Sequence, residues 1–329
     1  MKKPVVVVDL FCGMGGFTQG AIDAGAEVIL SVDSWDEACK VHEANHPHTR
    51  IDRIELGNPD WYKGLLVFLK PYRGNFHIHL HASPPCQALS NASRRDPEEG
   101  MGMVRWYLDL VKSVMPDSWS MENVVPVRKR LPQGTPSVVL NSADYGVSQT
   151  RRRCYAGEGW LAEPTHTKEE WVSVIDALPH LVDELPKRLR LRINTAGCGD
   201  STSKGATTRD SALDEPTKTV HNNVPSIRSV THNVSGATES IGEAAENRDR
   251  VITEPSKVIR AHTTTLRDRR EWNKPKKIRS LRMDETLVIQ GFSPDYDLSS
   301  TKTKKSQWTM VGNAVPPPVA EAVIRGIRQ

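Results

Sequence analysis

The sequence predicts an α/β protein: a mostly parallel sheet with helices on both faces, joined to a smaller domain of strands and loops. Two observations support this. Short apolar runs alternate with helical periodicity through the first 125 residues, an order that implies parallel strands with right-handed crossovers. The alternation stops near Glu158, gives way to a segment rich in Thr, Ser, Asn and Arg, and resumes at Arg279.

The strands are predicted from apolar runs and the helices from apolar residues three or four apart. For example, Ala38, Val41 and Ala44 share one helix face, and Pro47 ends that helix. The predicted strands are Val5–Leu10, Glu27–Val32, Phe76–Ala82 and Trp119–Val125. The first predicted helix begins at Phe17 and ends at Gly25. The other predicted helices are Ser34–Asn45, Met103–Met115, Arg279–Gly291 and Val315–Ile327. We therefore predict a main domain over residues 1–157, a second domain over 158–277, and elements over 278–329 that complete the first.

Composition narrows the class of protein. The chain has 329 residues, of which 37% are hydrophobic, and it lacks an apolar run long enough to span a membrane. Its five cysteines show no paired spacing, which predicts a reducing, cytoplasmic environment rather than a disulfide framework. The net charge of +4 is mild, but 12 Lys and Arg accompany four Asp and Glu between Arg248 and Arg282. That run fits either a solvated face or contacts with phosphates.

The turn after the first strand suggests a ligand with an adenosine part. Gly13, Gly15 and Gly16 let the backbone approach a ligand closely, and the following helix offers free N–H groups at its start. Asp33, after the second strand, is placed to bind ribose hydroxyls, although it fits the N-cap of the next helix almost equally well. These residues alone do not distinguish NAD from S-adenosylmethionine.

A cysteine follows two prolines at the end of the third strand. Pro84 and Pro85 stiffen the backbone that enters Cys86, and a small, polar segment follows it. A thiol held at the carboxyl end of a strand suits covalent catalysis, provided that nearby positive charge favours the thiolate. Cysteine is also a common small core residue, so this position alone does not decide between the two roles.

Three further segments carry chemistry. Met121-Glu-Asn-Val124 ends the next strand, and its Glu122 is an acid that could protonate or hydrogen-bond a substrate ring. Gln149-Thr-Arg-Arg-Arg153 supplies fork-shaped donors suited to a phosphate or an oxygen. Met310-Val-Gly-Asn-Ala-Val-Pro-Pro317 opens the last helix with an amide and paired prolines.

Taken in order, DLFCGMGGF, ASPPCQ, ENV, QTRRR, QGF and GNAVPP resemble the motifs of the carbon-5 cytosine-specific DNA methyltransferases of bacteria, archaea and phages. The resemblance covers nearly the whole chain outside Glu158–Lys277. It implies a Rossmann-like methyltransferase sheet in the main domain, with catalytic and cofactor-binding roles. It also implies S-adenosylmethionine as the cofactor and a target-recognition domain over residues 158–277.

The resemblance also implies residue roles. Cys86 would attack carbon 6 of a flipped-out cytosine, and Glu122 would engage ring nitrogen 3 and the exocyclic amine. Arg151 and Arg153 would line the pocket, with Arg153 nearest the ring oxygen. The implied cofactor-binding residues are Asp9, Phe11, Gly13, Gly15, Gly16, Asp33, Glu55, Pro85 and Asn313. The expected substrate-binding residues are Gln87, Ser90, Asn123, Gln149, Arg260 and Arg267.

Two positions depart from the family pattern. His77, His79 and His81 occupy the strand before the prolines, where aliphatic residues and an acid are expected. Alternate spacing puts all three on one strand face, a pattern that also fits a metal site, but we predict none because no additional Cys or carboxylate ligand is evident. Asp284 stands where an arginine is usual, which puts only a structural ion pair in doubt.

Other functions remain open. Methyltransferases that act on exocyclic amines carry an aromatic residue after the paired prolines, so Cys86 argues against that class. A tRNA cytosine-5 methyltransferase shares the catalytic motifs, although its CFT-type tripeptide is missing from this sequence. A catalytically inactive DNA-binding regulator of the same fold is the third possibility. We expect a monomer that acts on double-stranded DNA. Whether a cognate restriction endonuclease accompanies it is not decided by the sequence.

Overall fold

The computed structural model describes residues 2–58, 60–85, 89, 96–181, 190–194, 210–212, 217–218, 226–230 and 280–329. The strands are β1 (Val5–Leu10), β2 (Glu27–Asp33), β3 (Ile51–Arg53), β4 (His77–Ala82), β5 (Ser118–Asn123), β6 (Ser137–Asn141), β7 (Gln149–Thr150), β8 (Arg152–Glu158), β9 (Arg190–Asn194), β10 (Asp210–Ala212), β11 (Thr217–Lys218) and β12 (Ser226–Val230). The α-helices are α1 (Gly16–Asp23), α2 (Asp36–Asn45), α3 (Trp61–Leu69), α4 (Pro97–Val114), α5 (Val174–Ala177), α6 (Met283–Gln290), α7 (Lys304–Asn313) and α8 (Pro317–Arg325).

Seven strands form one sheet in the order β3-β2-β1-β4-β5-β8-β6. The first five are mutually parallel, and β8 runs antiparallel to both of its neighbours. This confirms the predicted, mostly parallel α/β sheet. The chain builds outward from β1 to β3 and then returns to place β4 on the other side of β1. Ligands of such sheets bind at this switch point, outside the carboxyl ends of the strands.

Helices cover both faces of the sheet, which explains why β1 and β2 are almost continuous apolar runs. On one face, Leu65 of α3 and Val104 of α4 are buried in the same core cluster as Leu80 of β4. On the other face, Phe17 of α1 and Val319 of α8 share a second cluster with residues of β1, β2 and β8. The prediction of helices on both faces is therefore confirmed.

The first and last helices of the main domain approach each other very closely. A Cβ atom added to Gly20 would lie 2.1 Å from the carbonyl oxygen of Pro317. One added to Gly16 would lie 2.2 Å from the carbonyl oxygen of Val315. Both distances are shorter than any real contact of a Cβ atom, so only glycine permits this packing.

The predicted elements differ from the observed ones mainly at their ends. Helix α4 begins at Pro97, where the Asp96 carboxylate accepts a 2.9 Å hydrogen bond from the Glu98 backbone N–H, rather than at Met103. Its first turns hold no apolar run, so the apolar periodicity predicted a start that lies six residues too far toward the C-terminus. The sequence analysis did not identify β3, α3, β6, β8 or α7.

Within residues 158–277 the described strands are short. Strand β9 pairs antiparallel with β10 and β12, and β11 pairs in parallel with β7. The boundaries at residues 157 and 277, and the recognition role of this region, stay predictions. No helix in the described ranges is both long and apolar enough to cross a membrane.

Candidate active site

The glycine turn lies at the switch point of the sheet. Phe11 and Gly13 adopt left-handed backbone angles, with φ of 56° and 54°. The Gly13 N–H donates a 2.8 Å hydrogen bond to Asp33 Oδ2, and the Trp35 N–H donates one of 2.8 Å to Asp33 Oδ1. Asp33 therefore joins the ends of β1 and β2. A Cβ atom on Gly13 would meet no atom within 4 Å, so this glycine borders open space.

The other two glycines of the turn face protein atoms instead. A Cβ atom on Gly15 would lie 2.7 Å from His46 Nε2, and Gly16 abuts the Val315 carbonyl as described above. Packing is therefore sufficient reason for glycine at both positions. Their contact with a cofactor stays a prediction.

Asp9 lies behind the turn, fully buried at the end of β1. The Thr18 hydroxyl donates a 2.8 Å hydrogen bond to Asp9 Oδ2, whereas Oδ1 has no hydrogen bond with the described residues. Burial, followed by the charge of Asp33, raises the pKa of Asp9 to about 7, although the Thr18 hydrogen bond lowers it. Near pH 7 this carboxyl group is therefore partly protonated.

The approach to Cys86 is fixed by hydrogen bonds from both neighbouring strands. The Ser83 N–H donates to the Leu10 carbonyl at 3.0 Å, and Asn123 Nδ2 donates to the Pro84 carbonyl at 3.1 Å. Pro84 is buried and Pro85 is exposed. The predicted site residues Cys86, Gln87 and Ser90 lie outside the described residues, as do Arg260 and Arg267.

Glu122 and Arg153 form an ion pair beside this loop. Glu122 Oε1 lies 3.1 Å from Arg153 Nε, and the two side chains are 10% and 13% exposed. Apart from this ion pair, Glu122 Oε1 makes no hydrogen bond within the described part of the chain. Glu122 pairs in register with Tyr155 of β8, so the antiparallel strand brings Arg153 to the same sheet edge. A carboxylate and a guanidinium so arranged can bind a planar ring that carries both donors and an acceptor.

Arg151 and Gln149 reach the C-terminal elements. Arg151 is 3% exposed, and its Nη1 donates a 2.9 Å hydrogen bond to the Gly312 carbonyl. Gln149 Nε2 donates to the Ile289 carbonyl at 3.1 Å and to Gln290 Oε1 at 2.5 Å, and Gln290 Nε2 donates to the Ala314 carbonyl at 2.7 Å. These contacts bind the QTRRR segment to the GNAVPP segment. These contacts do not test the predicted roles of Arg151 in the pocket and of Gln149 in substrate binding, which stay predictions.

Two further residues predicted to bind the cofactor, Glu55 and Asn313, are both exposed. Glu55 is exposed two residues after β3. Asn313 is exposed at the end of α7, so GNAVPP connects two helices rather than only opening the last one. Sequence analysis missed Trp106 of α4, whose ring meets Phe11 edge to face with centroids 6.1 Å apart. A helix predicted from periodicity contained Trp106, but nothing in the sequence linked it to the turn.

Comparison with known proteins shows which family this chain is similar to. The family model for C-5 cytosine-specific DNA methylases matches residues 5–131 and 134–329. The Type II methyltransferase M.HgiDI of Herpetosiphon aurantiacus is 32% identical over 163 residues, which cover 45% of this chain and 50% of that protein. The chain thus matches only about half the length of this relative. The Type II methyltransferase M.MthTI of Methanothermobacter thermautotrophicus is 27% identical over 98% of this chain and 97% of its own length.

A solved structure shares the fold. The Entamoeba histolytica methyltransferase EhMeth superposes with a TM-score of 0.56 at 15% identity. The superposition covers 98% of this chain and 97% of that one. At this identity the likeness concerns the fold alone.

Proposed function

Because this chain belongs to the C-5 cytosine-specific DNA methylase family, we propose that it transfers a methyl group from S-adenosylmethionine to carbon 5 of cytosine in double-stranded DNA. The observation that carries the proposal is the Glu122–Arg153 pair. It stands next to the Asn123–Pro84 hydrogen bond, which fixes the backbone just before Cys86. An acid, a guanidinium and the two prolines that precede Cys86 thus lie at one edge of the sheet.

The residues of the glycine turn fit the proposed cofactor. Gly13 borders open space, and the Asp33 carboxylate keeps lone pairs for ribose hydroxyls beyond its two backbone hydrogen bonds. Phe11 and Trp106 add an aromatic wall for an adenine ring. When bound, S-adenosylmethionine supplies an electrophilic methyl group on a sulfonium sulfur. We further propose, from the family resemblance, contacts from Asp9, Gly15, Gly16, Glu55, Pro85 and Asn313.

In the proposed mechanism the target cytosine leaves the DNA stack, since carbons 5 and 6 are out of reach inside a duplex. The Cys86 thiolate bonds to carbon 6, and the ring electrons shift toward nitrogen 3, which takes a proton from Glu122. Carbon 5 thereby becomes nucleophilic and accepts the methyl group. A base then removes the carbon-5 proton, its electron pair restores the C5–C6 double bond, and the C6–S bond breaks to return the thiolate.

Arg153 has two roles in this scheme. Its guanidinium stands 3.1 Å from Glu122 and can also donate to the ring oxygen of the cytosine, where negative charge accumulates after thiolate addition. Arg151 is proposed to support the pocket wall through its bond to the Gly312 carbonyl.

A duplex containing 5-fluorocytosine tests the proposal, because fluorine at carbon 5 cannot leave as a proton does. With S-adenosylmethionine present, the wild-type protein should form a stable covalent adduct whose peptide maps to Cys86. Cys86→Ser should still bind the duplex but form no adduct. If the wild-type protein gives no adduct, or gives one only on tRNA, the proposed DNA activity is wrong.

The proposal extends to partners. We propose a monomer that acts on a specific DNA sequence, with Arg260 and Arg267 among the residues that contact DNA. The Type II relatives support a restriction endonuclease as a cognate partner. Bisulfite sequencing of DNA from cells that express the chain would identify the methylated sequence.

A further inference from the structure

The three histidines that depart from the family pattern alternate with serines in one buried chain of hydrogen bonds. We call this chain the His–Ser ladder: His77, Ser118, His79, Ser120, His81 and Ser83. Its five successive hydrogen bonds measure between 2.7 and 3.0 Å. The serines of β5 lie between the histidines of β4 because the two strands pair in parallel with His79 opposite Ser118 and His81 opposite Ser120.

The rings do not converge as metal ligands do. Both nitrogens of His79 and both nitrogens of His81 are hydrogen-bonded to serine hydroxyls. No group of three or more His, Cys, Asp or Glu side chains in the described residues is placed to hold a metal ion. Phe17 stacks on His81 with ring centroids 3.4 Å apart and fixes the plane of that ring.

The ladder reaches two different surroundings. At one end His77 lines an open groove together with Lys2, Lys3, Asp117 and Gln329. At the other end Ser83 is half-buried and directly precedes the prolines. Extending the β4–β5 register by one residue beyond the Ala82–Met121 pair places Ser83 opposite Glu122. Because side chains alternate along a strand, Glu122 lies on the same face as Ser118 and Ser120.

Every member of the ladder can both donate and accept one hydrogen bond. A neutral imidazole has one N–H and one acceptor nitrogen, and a serine hydroxyl has one O–H and free lone pairs. Burial and, to a lesser extent, the charge of the nearby His77 lower the pKa of His79 to about 3, so this ring is neutral at pH 7. All five hydrogen bonds can therefore run, from donor to acceptor, either from His77 toward Ser83 or from Ser83 toward His77. Switching between these two arrangements moves one proton the length of the ladder.

We propose that the His–Ser ladder conducts protons between the solvent at His77 and the carboxyl group of Glu122. This deepens the proposed function and rests on it. A proton taken up at His77 displaces one at each link, so an O–H bond forms on Glu122 and the ladder keeps its number of protons. Glu122 then gives that proton to nitrogen 3 as the Cys86 sulfur bonds to carbon 6. When the C6–S bond breaks, the proton returns to Glu122 and can leave by the same route.

The ladder solves a problem of access. A flipped base in a closed pocket excludes the water that would otherwise exchange protons with Glu122. A path along the buried face of β4 and β5 leads to Glu122 from within the protein and stays open while the pocket is filled.

Two variants interrupt the ladder in different ways. His77→Gln keeps a side chain that can hydrogen-bond to Ser118 but cannot relay a proton, and Ser120→Ala removes the central hydroxyl. Each should lower the single-turnover rate of methyl transfer about 10-fold or more. For comparison, general acid–base catalysis typically contributes about 100-fold or more. The KM for DNA and the KM for S-adenosylmethionine should both stay unchanged. Each should also alter the solvent deuterium isotope effect on that rate.

Tyr107→Phe is the matched control, because Tyr107 is fully buried against the opposite face of the same strands. Its hydroxyl donates to the backbone carbonyls of Leu80 and Ser120 at 2.8 and 2.9 Å, not to a side chain of the ladder. If the ladder variants slow methyl transfer no more than this control does, at comparable thermal stability, the ladder is structural only. If the wild-type protein itself does not methylate DNA, the proposed function is wrong. That result needs no variant, so it is distinguishable from failure of the ladder proposal.

Discussion

Strands β4 and β5 present two buried faces of opposite character. One face holds Ile78, Leu80 and Ala82 with Trp119 and Met121, all in a single apolar cluster with α3 and α4. The other face holds the His–Ser ladder and Glu122, under α1. Burial is nearly complete on both sides. The sheet therefore separates a stabilising side from a chemical side within the same dozen residues.

The difference shows how burial is used on each face. Apolar side chains contribute roughly 25 cal/mol per Å² removed from water, so the α3–α4 face supplies stability directly. A buried polar group costs free energy unless it is hydrogen-bonded, and each bond then adds only about 1 kcal/mol net. The polar groups of the ladder form hydrogen bonds with one another, so their burial carries little net cost. The ladder is therefore not a main source of stability. Substitutions on the two faces should therefore affect different measurements.

The largest expected effect lies on the polar face. Glu122→Gln should lower the single-turnover methylation rate by about 100-fold or more, because the amide cannot deliver a proton to nitrogen 3. The free energy of unfolding should change little. Met121→Leu, on the apolar face of the same strand, conserves volume and should keep the wild-type rate. Equal losses in both variants would show that the two faces are not separate.

On the apolar face, Leu80→Ala should reduce the free energy of unfolding by about 2–5 kcal/mol, because it leaves a cavity in a fully buried cluster. Urea denaturation measures this loss. The methylation rate per folded molecule should stay near that of the wild type. A normal stability with a low rate would contradict the assignment of this face.

Acid should weaken the polar face selectively. The unfolded chain protonates His79 near pH 6.5, whereas burial lowers the pKa of the folded ring to about 3. Stability is thus lost as pH falls from about 6.5 toward 3, on the order of 1 kcal/mol per pH unit. Asp9, whose pKa burial raises to about 7, acts in the opposite direction between about pH 4 and 7.

Comparison with His79→Gln isolates the contribution of His79, since Asp9 is present in both proteins. Urea denaturation at pH 6.5, 5.5 and 4.5 should show a steeper loss for the wild type. Parallel curves would mean that folding does not lower the pKa of His79.

The smallest effect is expected for Tyr107→Phe, which should lower the free energy of unfolding by about 1 kcal/mol. The lost hydroxyl bonds two strand carbonyls but no side chain of the polar face. Urea denaturation measures the change, and single-turnover methylation should be unaltered. A lower rate would show that changes on the Tyr107 side reach the chemistry.

Much of the sheet could be predicted from the sequence. Strands β1 and β2 are buried, almost uninterrupted apolar runs bounded by turn residues, and this pattern is visible without a structure. Strand β8 was missed because Arg152 and Arg153 open it, and its pairing with β5 and β6 is long-range. Strand β3 has only three residues and offers too short a pattern.

The candidate site was predictable as motifs but not as contacts. The resemblance named Glu122 and Arg153 separately, and their 3.1 Å approach depends on an antiparallel strand that the sequence analysis did not identify. The bond from Arg151 to Gly312 joins residues 161 positions apart. The histidines of β4 were noticed as a departure, but the serines between them emerge only from the register of β5.

The contact of Gly16 and Gly20 with the segment that leads into α8 has a consequence for synthesis of the protein. The glycine turn leaves the ribosome early, whereas Val315 and Pro317, which support it, are translated much later. A nascent chain therefore holds an unfinished turn until the final helix emerges, and we expect it to modify no DNA before then.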